Sequence, residues 1–334
     1  MEFKQLLEDI SKQIYYPIYL LSGEEPYYID LVADYIAEKV LTEDEQSFNQ
    51  SVVYGKDTDV ETVIQLSRRF PMMSNYQVII VKEAQDLKKI EELHLYAENP
   101  LKSTILVICY KYKAFPKTTS FAKQVKKNGI IFDSPVIPEW KLGEWIRTFV
   151  KEKNYQIDTD VSELLAEYLG SSLHKLVNEL QKLMYLLPEG SKITKNDVEK
   201  NIGISKEYNV FELQRAFATK DSMKVQKILQ SFASNPKEHP TEATLPVLYN
   251  FFKKVLLLYF IQDKSNESIS TTLKISPTPF FIQQYVNAQK KYSAQKLVQI
   301  ISLLREYDLK TKGVQVGADD RGDLMRELAF KILH

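Results

Sequence analysis

Hydrophobic and polar positions change rhythm once along this chain. As far as Phe132, short apolar runs alternate with longer amphipathic stretches. The runs are Ile18–Leu21, Ser51–Tyr54, Gln77–Val81, Thr104–Tyr110 and Gly129–Phe132. "QVIIV" and "TILVICY" carry almost no polar alternation, the pattern of strands buried on both faces of a parallel sheet. Thr58 with Glu61 has the spacing of a capping box, opening a helix that ends near Arg69. Strands alternating with helices predict an α/β domain with right-handed crossovers.

Beyond Pro135 and Pro138 the strand pattern stops. Leu142, Trp145, Ile146 and Phe149 share one helical stripe. Val161, Leu164, Leu165, Tyr168 and Leu169 share a second. Leu173, Leu176, Val177, Leu180, Leu183, Met184 and Leu187 form a third at i, i+3, i+4, i+7 spacing. "PEGSKITKNDVEKNI" reads as a loop and a short helix capped by Thr194. From Asn209 onward the strong patterns are again helical: Phe211–Ala218, Ser222–Ala233, Leu245–Ile261, a helix opening at Ser276-Pro277, Ala294–Tyr307 and Arg321–Leu333. The expected organisation is an α/β domain over residues 1–138, a small helical domain over 139–208 and a larger helical domain over 209–334.

Composition keeps this within the ordinary globular class, at 44% hydrophobic and 26% charged over 334 residues. No apolar run approaches the ~20 residues of a membrane span, and the opening segment lacks a signal-peptide core. One cysteine, Cys109, lies within an apolar strand, which excludes a disulfide scaffold and predicts a cytoplasmic protein. Acids and bases balance at 44 each, which argues against a protein whose main task is coating DNA. Their distribution is uneven. Residues 24–62 hold eleven acids and two lysines, and residues 102–127 hold seven lysines and no acid. Two readings stand for the lysines: a solvated face, the simpler one, or a patch meeting phosphates.

The stretch "YLLSGEEPYYIDLV" builds the strand, turn and helix of a phosphate site. It then fills the turn with Gly23, Glu24 and Glu25. A phosphate cradle needs converging backbone N–H groups, glycines, a lysine and a hydroxyl for magnesium. Here there is one glycine and no lysine, and Pro26 has no N–H to donate. Carboxylates this close to a triphosphate repel it by on the order of a few kcal/mol per pair. The third strand ends in Lys82-Glu83 where a magnesium site wants paired acids. Glu83 alone could hold a metal, but the commoner meaning of an acid there is the start of the next helix. His94, His174, His239 and His334 are scattered singly, without metal-ligand spacing. No catalytic residue, metal site or cofactor is therefore expected.

"QLSRRFPMMSNYQVIIV" is the most informative stretch. The helix must end before Pro71, because the residue preceding a proline leaves the helical region. Phe70, Pro71, Met72 and Met73 then occupy a helix-to-strand junction. Either they close the end of the sheet core, an even choice for Phe70, or they form an exposed apolar plug that docks into a partner. Methionine suits docking because it is flexible and polarizable, and Arg68 and Arg69 would supply a polar rim.

These residues carry a resemblance to a family. "IYLLSGEEPYYID", "RRFPMMSNYQVIIVKEA", "GSSLHKLVNELQKLMYL", "ITKNDVEKNI", "NVFELQRAFATKDSMKVQKIL" and "ADDRGDLMRELAFKIL" resemble, in order, stretches of the delta subunits of bacterial DNA polymerase III. The resemblance implies an AAA+/RecA-like α/β domain followed by two all-α domains, a lid and a collar. It implies a clamp-loader subunit that does not hydrolyse ATP. The implied partners are the sliding clamp, the loader's ATPase subunits and a delta-prime-like subunit in a five-membered ring, and DNA in the assembled complex. Phe70, Pro71, Met72 and Met73 fall at the clamp-binding junction, with Met72 and Met73 where the family often has leucine and phenylalanine. Lys123, Lys126 and Lys127 are candidates to face DNA, and the segment Lys310–Gly317 to approach the primer end. Two other readings stay open: an ATPase with a divergent site, and an AAA-like scaffold with another partner.

Overall fold

The computed structural model describes residues 2–202, 208–236, 239–312 and 321–334, apart from the side chains of residues 199, 280 and 321–323. The chain divides into two units, Met1–Ile137 and Pro138–His334.

The first unit runs α1 (Phe3–Ser11), β1 (Ile18–Gly23), α2 (Pro26–Lys39), α3 (Glu43–Asn49), β2 (Gln50–Tyr54), α4 (Val60–Ser67), β3 (Gln77–Lys82), α5 (His94–Ala97), β4 (Thr104–Lys111), α6 (Ser120–Asn128) and β5 (Ile130–Asp133). All five strands pair in parallel, in the order β2-β3-β4-β1-β5. Strand side chains alternate between two faces, and here both faces are covered. Ile18 and Leu20 join Ile79, Val81, Leu106 and Ile108 under Val63, Tyr96 and Phe121. Tyr19 and Leu21 join Val78, Ile80, Val107 and Cys109 under Leu6, Ile29, Val32 and Ile36. Double-sided burial explains why these strands read as unbroken apolar runs.

Local chemistry sets the helix ends, with two departures from the sequence expectation. The α4 cap is Asp59, in extended backbone, whose carboxylate accepts from Thr62 N–H at 2.7 Å; Thr58 and Glu61 form no capping box. The capping box of this region is instead Thr42 with Glu45, at the start of α3. Glu83 precedes a short 3-10 turn but makes no capping bond there.

The second unit runs α7 (Leu142–Glu152), β6 (Gln156–Ile157), α8 (Thr159–Leu169), α9 (Leu173–Leu186), β7 (Lys192–Ile193), α10 (Lys195–Ile202), α11 (Val210–Thr219), α12 (Ser222–Ser234), α13 (Thr241–Leu257), α14 (Asn266–Leu273), α15 (Pro279–Lys291), α16 (Ala294–Thr311) and α17 (Arg321–Leu333). Strand pairing does not stop at Pro138: β6 and β7 pair in parallel over two residues each, too short to show a period. Helix α15 begins at Pro279, with Thr278 at the cap position, not at Ser276-Pro277. Helix α14 has no signal in the sequence pattern, since "NESISTTL" is mostly polar. Leu213, Phe217, Leu248, Phe252, Tyr292, Ile300 and Leu328 share one core that runs through α11 to α17. Of the segment Lys310–Gly317, residues 313–317 lie outside the described residues.

Candidate functional site

Parallel strands give the sheet two unlike edges, and ligands of open α/β sheets gather at the carboxyl ends. In this chain that edge is filled by its own side chains. Gly23 ends β1 at φ +152°, and a Cβ there would lie 2.0 Å from Ser134 O. Ser134, just past β5, donates its N–H to Ser22 O at 2.7 Å and its hydroxyl to Glu25 O at 2.7 Å. Its carbonyl accepts from Glu25 N–H at 3.0 Å. Helix α2 then starts at Pro26, and the Glu25 carboxylate accepts from Tyr27 N–H at 2.9 Å. A helix N-terminus attracts anions; the anion here is Glu25, buried in the turn, while neighbouring Glu24 faces solvent. The two carboxylates that looked alike in sequence have different fates.

One strand further on, Lys111 ends β4. Its buried ammonium lies 2.7 Å from Asp30 Oδ1 on α2 and 2.8 Å from Glu83 Oε1 beyond β3. Gln85 ties the group together, donating to Glu83 Oε2 at 2.6 Å and accepting from Lys111 N–H at 3.1 Å. Burial by itself would lower the Lys111 ammonium, but the hydrogen bonds to Asp30 and Glu83 raise it well above the ordinary lysine value. Burial would likewise raise Glu83. The hydrogen bonds from Lys111 and Gln85 outweigh that and hold its carboxyl below the usual range. An internal ammonium thus stands between the carboxylates. Among the described residues, no group of three or more His, Cys, Asp or Glu side chains could hold a metal ion.

The amino edge of the sheet is different. Between α4 and β3 the chain turns out into solvent. Phe70 is 76% exposed, Met72 63% and Met73 fully, with Pro71 half-buried. For Phe70 the exposure rules out a place in the sheet core. Beneath this apolar tip the loop is fixed by buried polar groups. Asn49, the last residue of α3, is 2% exposed. Its Oδ1 accepts from Met72 N–H at 2.6 Å, and its Nδ2 donates to Met72 O at 2.9 Å and to Glu45 O at 3.2 Å. One amide therefore takes both backbone groups of Met72, as a neighbouring strand would. Gln77 donates to Leu66 O at 3.2 Å, and Thr104 to Ser67 O at 3.0 Å. Met73 sits at φ +54°, a left-handed conformation that costs a non-glycine residue roughly 1–2 kcal/mol. Such a conformation persists where the surroundings over-determine it, and here Asn49 holds the residue before it.

Residues 19–134, which include the turn, the Lys111 group and the apolar tip, match the family model described as DNA polymerase III, delta subunit. Over residues 19–134 the chain is therefore similar to the DNA polymerase III delta subunits. The likeness extends further along the chain. It is 23% identical over 318 residues to the DNA polymerase III subunit delta of Bacillus subtilis strain 168, covering 91% of this chain and 90% of the relative. To the probable DNA polymerase III subunit delta of Aquifex aeolicus strain VF5 it is 24% identical over 304 residues, covering 86% and 84%. Among solved structures, the Bacillus subtilis DNA clamp loader delta protein shares the fold, with a TM-score of 0.64, 20% identity and 99% of each chain covered.

Within the first unit, the lysines of residues 102–127 do not form one patch. Lys111 is consumed by its ion pairs, and Lys117 pairs with Asp133 at 2.6 Å. Lys123, Lys126 and Lys127 are exposed on α6, whose Phe121, Ala122 and Val125 face the core. Sequence reading missed Asn49, Lys111 and Ser134. Each acts on a residue far away in the chain, and the domain's sequence gives no local signal for that. The Thr42–Glu45 box just before Asn49 was the nearest available clue.

Proposed function

We propose that this chain is the non-catalytic delta subunit of a clamp loader, and that Phe70, Pro71, Met72 and Met73 form the plug by which it grips the sliding clamp. The observation that carries this reading is the presentation of two methionine side chains into solvent from a loop whose backbone Asn49 holds on both sides. Burying two such side chains is worth roughly 3–6 kcal/mol in gross terms, of which association entropy removes part. A plug that fits the open clamp better than the closed one shifts the opening equilibrium by that difference and no more. Capture of the cognate sliding clamp by the purified full chain tests the reading; no capture at micromolar concentration would defeat it.

The carboxyl edge supports the absence of a nucleotide site. Glu25 occupies the anion position at the start of α2, Ser134 closes the turn over Gly23, and Lys111 fills the space between Asp30 and Glu83. Calorimetry with ATP and magnesium on the isolated chain is expected to show no binding. A titration with a measurable enthalpy and a stoichiometry near one would restore the ATPase alternative.

The remaining assignments follow the family likeness. Residues 1–138 form the AAA+-like domain, 139–208 a lid and 209–334 a collar that joins the loader's ATPase and delta-prime-like subunits in a ring. Lys123, Lys126 and Lys127 on α6 face DNA in the assembled loader. Replacing all three by alanine is expected to flatten the salt dependence of the loader's DNA binding, by up to ~0.9 in log–log slope for each phosphate no longer neutralised. An unchanged slope returns these lysines to a solvated face.

A further inference from the structure

Two residues of the plug are thioethers, and among the described residues of the first unit they are the most accessible sulfurs. Met73 is fully exposed and Met72 is 63% exposed. The one cysteine is the reverse case: Cys109 is sealed in the sheet core, and burial pushes its thiol up to about 12. A thiol without thiolate character or access is inert. Among the other described methionines, Met184 and Met325 are buried, and Met223 on α12 is exposed. Among the described residues an oxidant therefore meets Met72 and Met73 at the plug and Met223 elsewhere, while the thiol is withheld.

We propose that Met72 and Met73 are reversible oxidation sites and that their conversion to sulfoxides releases the plug from its partner. The proposal rests on the docking reading above. Hydrogen peroxide is the oxidant class. Its O–O bond breaks, one oxygen bonds to the methionine sulfur, and the other leaves as water with both protons. The sulfur loses two electrons and the peroxide gains them. Thiol-dependent sulfoxide reductases reverse the step: two thiols become a disulfide, and the sulfoxide oxygen leaves as water. Oxidation replaces a flexible apolar tip by a polar, chiral group. A sulfoxide oxygen pressed into an apolar pocket loses its water without gaining a donor, which opposes docking. At Met72 the Asn49 bonds engage the backbone and not the sulfur, so the loop keeps its course when the sulfurs are oxidised.

The test treats the purified full chain with hydrogen peroxide, removes the peroxide, and then measures affinity for untreated sliding clamp. Peptide masses report which methionines carry oxygen, and thermal unfolding reports the fold. Wild-type chain oxidised at residues 72 and 73 is expected to bind at least roughly tenfold more weakly, the order of effect of leaving a polar group unpaired in an interface. Treatment with both epimer-specific reductases is expected to restore binding. Met72→Leu with Met73→Leu, which keeps the apolar volume, is expected to bind equally before and after peroxide, even though Met223 is still oxidised. Three results would overturn the inference: unchanged affinity with both sulfoxides present, equal loss in the leucine variant, or no oxygen at residues 72 and 73 when Met223 carries it. Failure of untreated wild-type chain to bind the clamp would instead defeat the docking reading, and this inference with it.

Discussion

Met72→Ala with Met73→Ala is expected to abolish capture of the sliding clamp and to leave the fold unchanged. Both side chains end in solvent, so their removal creates no cavity, and stability should stay within about 0.5 kcal/mol of wild type, as for surface substitutions generally. Binding responds differently. Interface energy concentrates in a few apolar anchors seated in pockets, and truncating two of them removes most of a gross gain of roughly 3–6 kcal/mol. A micromolar complex would fall to millimolar or weaker, since every ~1.4 kcal/mol is a factor of ten. Clamp pull-down and titration on the purified variant decide it; capture equal to wild type would remove the plug from the mechanism.

A companion variant separates the side chains from their presentation. Asn49→Ala keeps both methionines but strips Met72 of its two backbone partners, at 2.6 and 2.9 Å. The loop is exposed, so water takes up the freed groups, and the loss is one of order more than of hydrogen bonding. The left-handed Met73 then has less to hold it. Clamp affinity should fall by about tenfold, or ~1.4 kcal/mol. Asn49→Asp should not rescue it, because a carboxylate accepts from Met72 N–H but has no donor for Met72 O or Glu45 O. Clamp binding by Asn49→Ala equal to wild type would show that the loop needs no brace from α3.

The second large effect is on stability. Lys111→Met leaves Asp30 and Glu83 facing each other across an apolar side chain, and should cost the first unit about 3 kcal/mol, the lower end for breaking a buried ion pair. Both carboxylates keep some access to solvent, with side chains 23% and 29% exposed, which moderates the penalty. The effect has a defined pH dependence. Glu83 is held below its ordinary value, so its contribution is complete above the unfolded carboxyl pKa, about 4.3, and is lost as pH falls through the lower folded value. Lys111 is raised, so its contribution is complete below the unfolded lysine pKa, about 10.4, and is lost as pH rises through the higher folded value. Wild type and Lys111→Met should therefore differ most between about pH 5 and 10 and converge in acid. Hydrogen exchange at the β3 and β4 amides reads the first unit by itself. Equal protection in the two proteins at pH 7 would mean that the ion pairs contribute nothing net.

The apolar runs located all five strands of the main sheet to within two residues; for β1, β3 and β4 the reason is burial on both faces, which keeps nearly every position apolar. Met72 and Met73 stood out for a related reason. Four apolar residues in a row after a helix and around a proline have no period to hide in. Helix starts were read less well. Thr58 and Asp59 are both acceptable caps in sequence, and only the backbone angles decided for Asp59. At Thr278-Pro279 the same ambiguity moved a helix start by a few residues. Strands β6 and β7 are two residues each, below the length at which alternation exists.

By itself, the sequence determined that the first unit is a parallel α/β layer, that the rest is mainly helical, and that the turn after β1 carries one glycine, two glutamates and a proline but no lysine. These depend on local composition and period, which any stretch of chain carries with it. Tertiary structure decided what closes that turn and what steadies the tip. Ser134 reaches Glu25 across 109 positions, Asn49 reaches Met72 across 23, and Lys111 reaches Glu83 across 28. A hydrogen bond between residues so far apart is set by how strands and helices pack side by side, and neither partner's neighbours in the chain specify it.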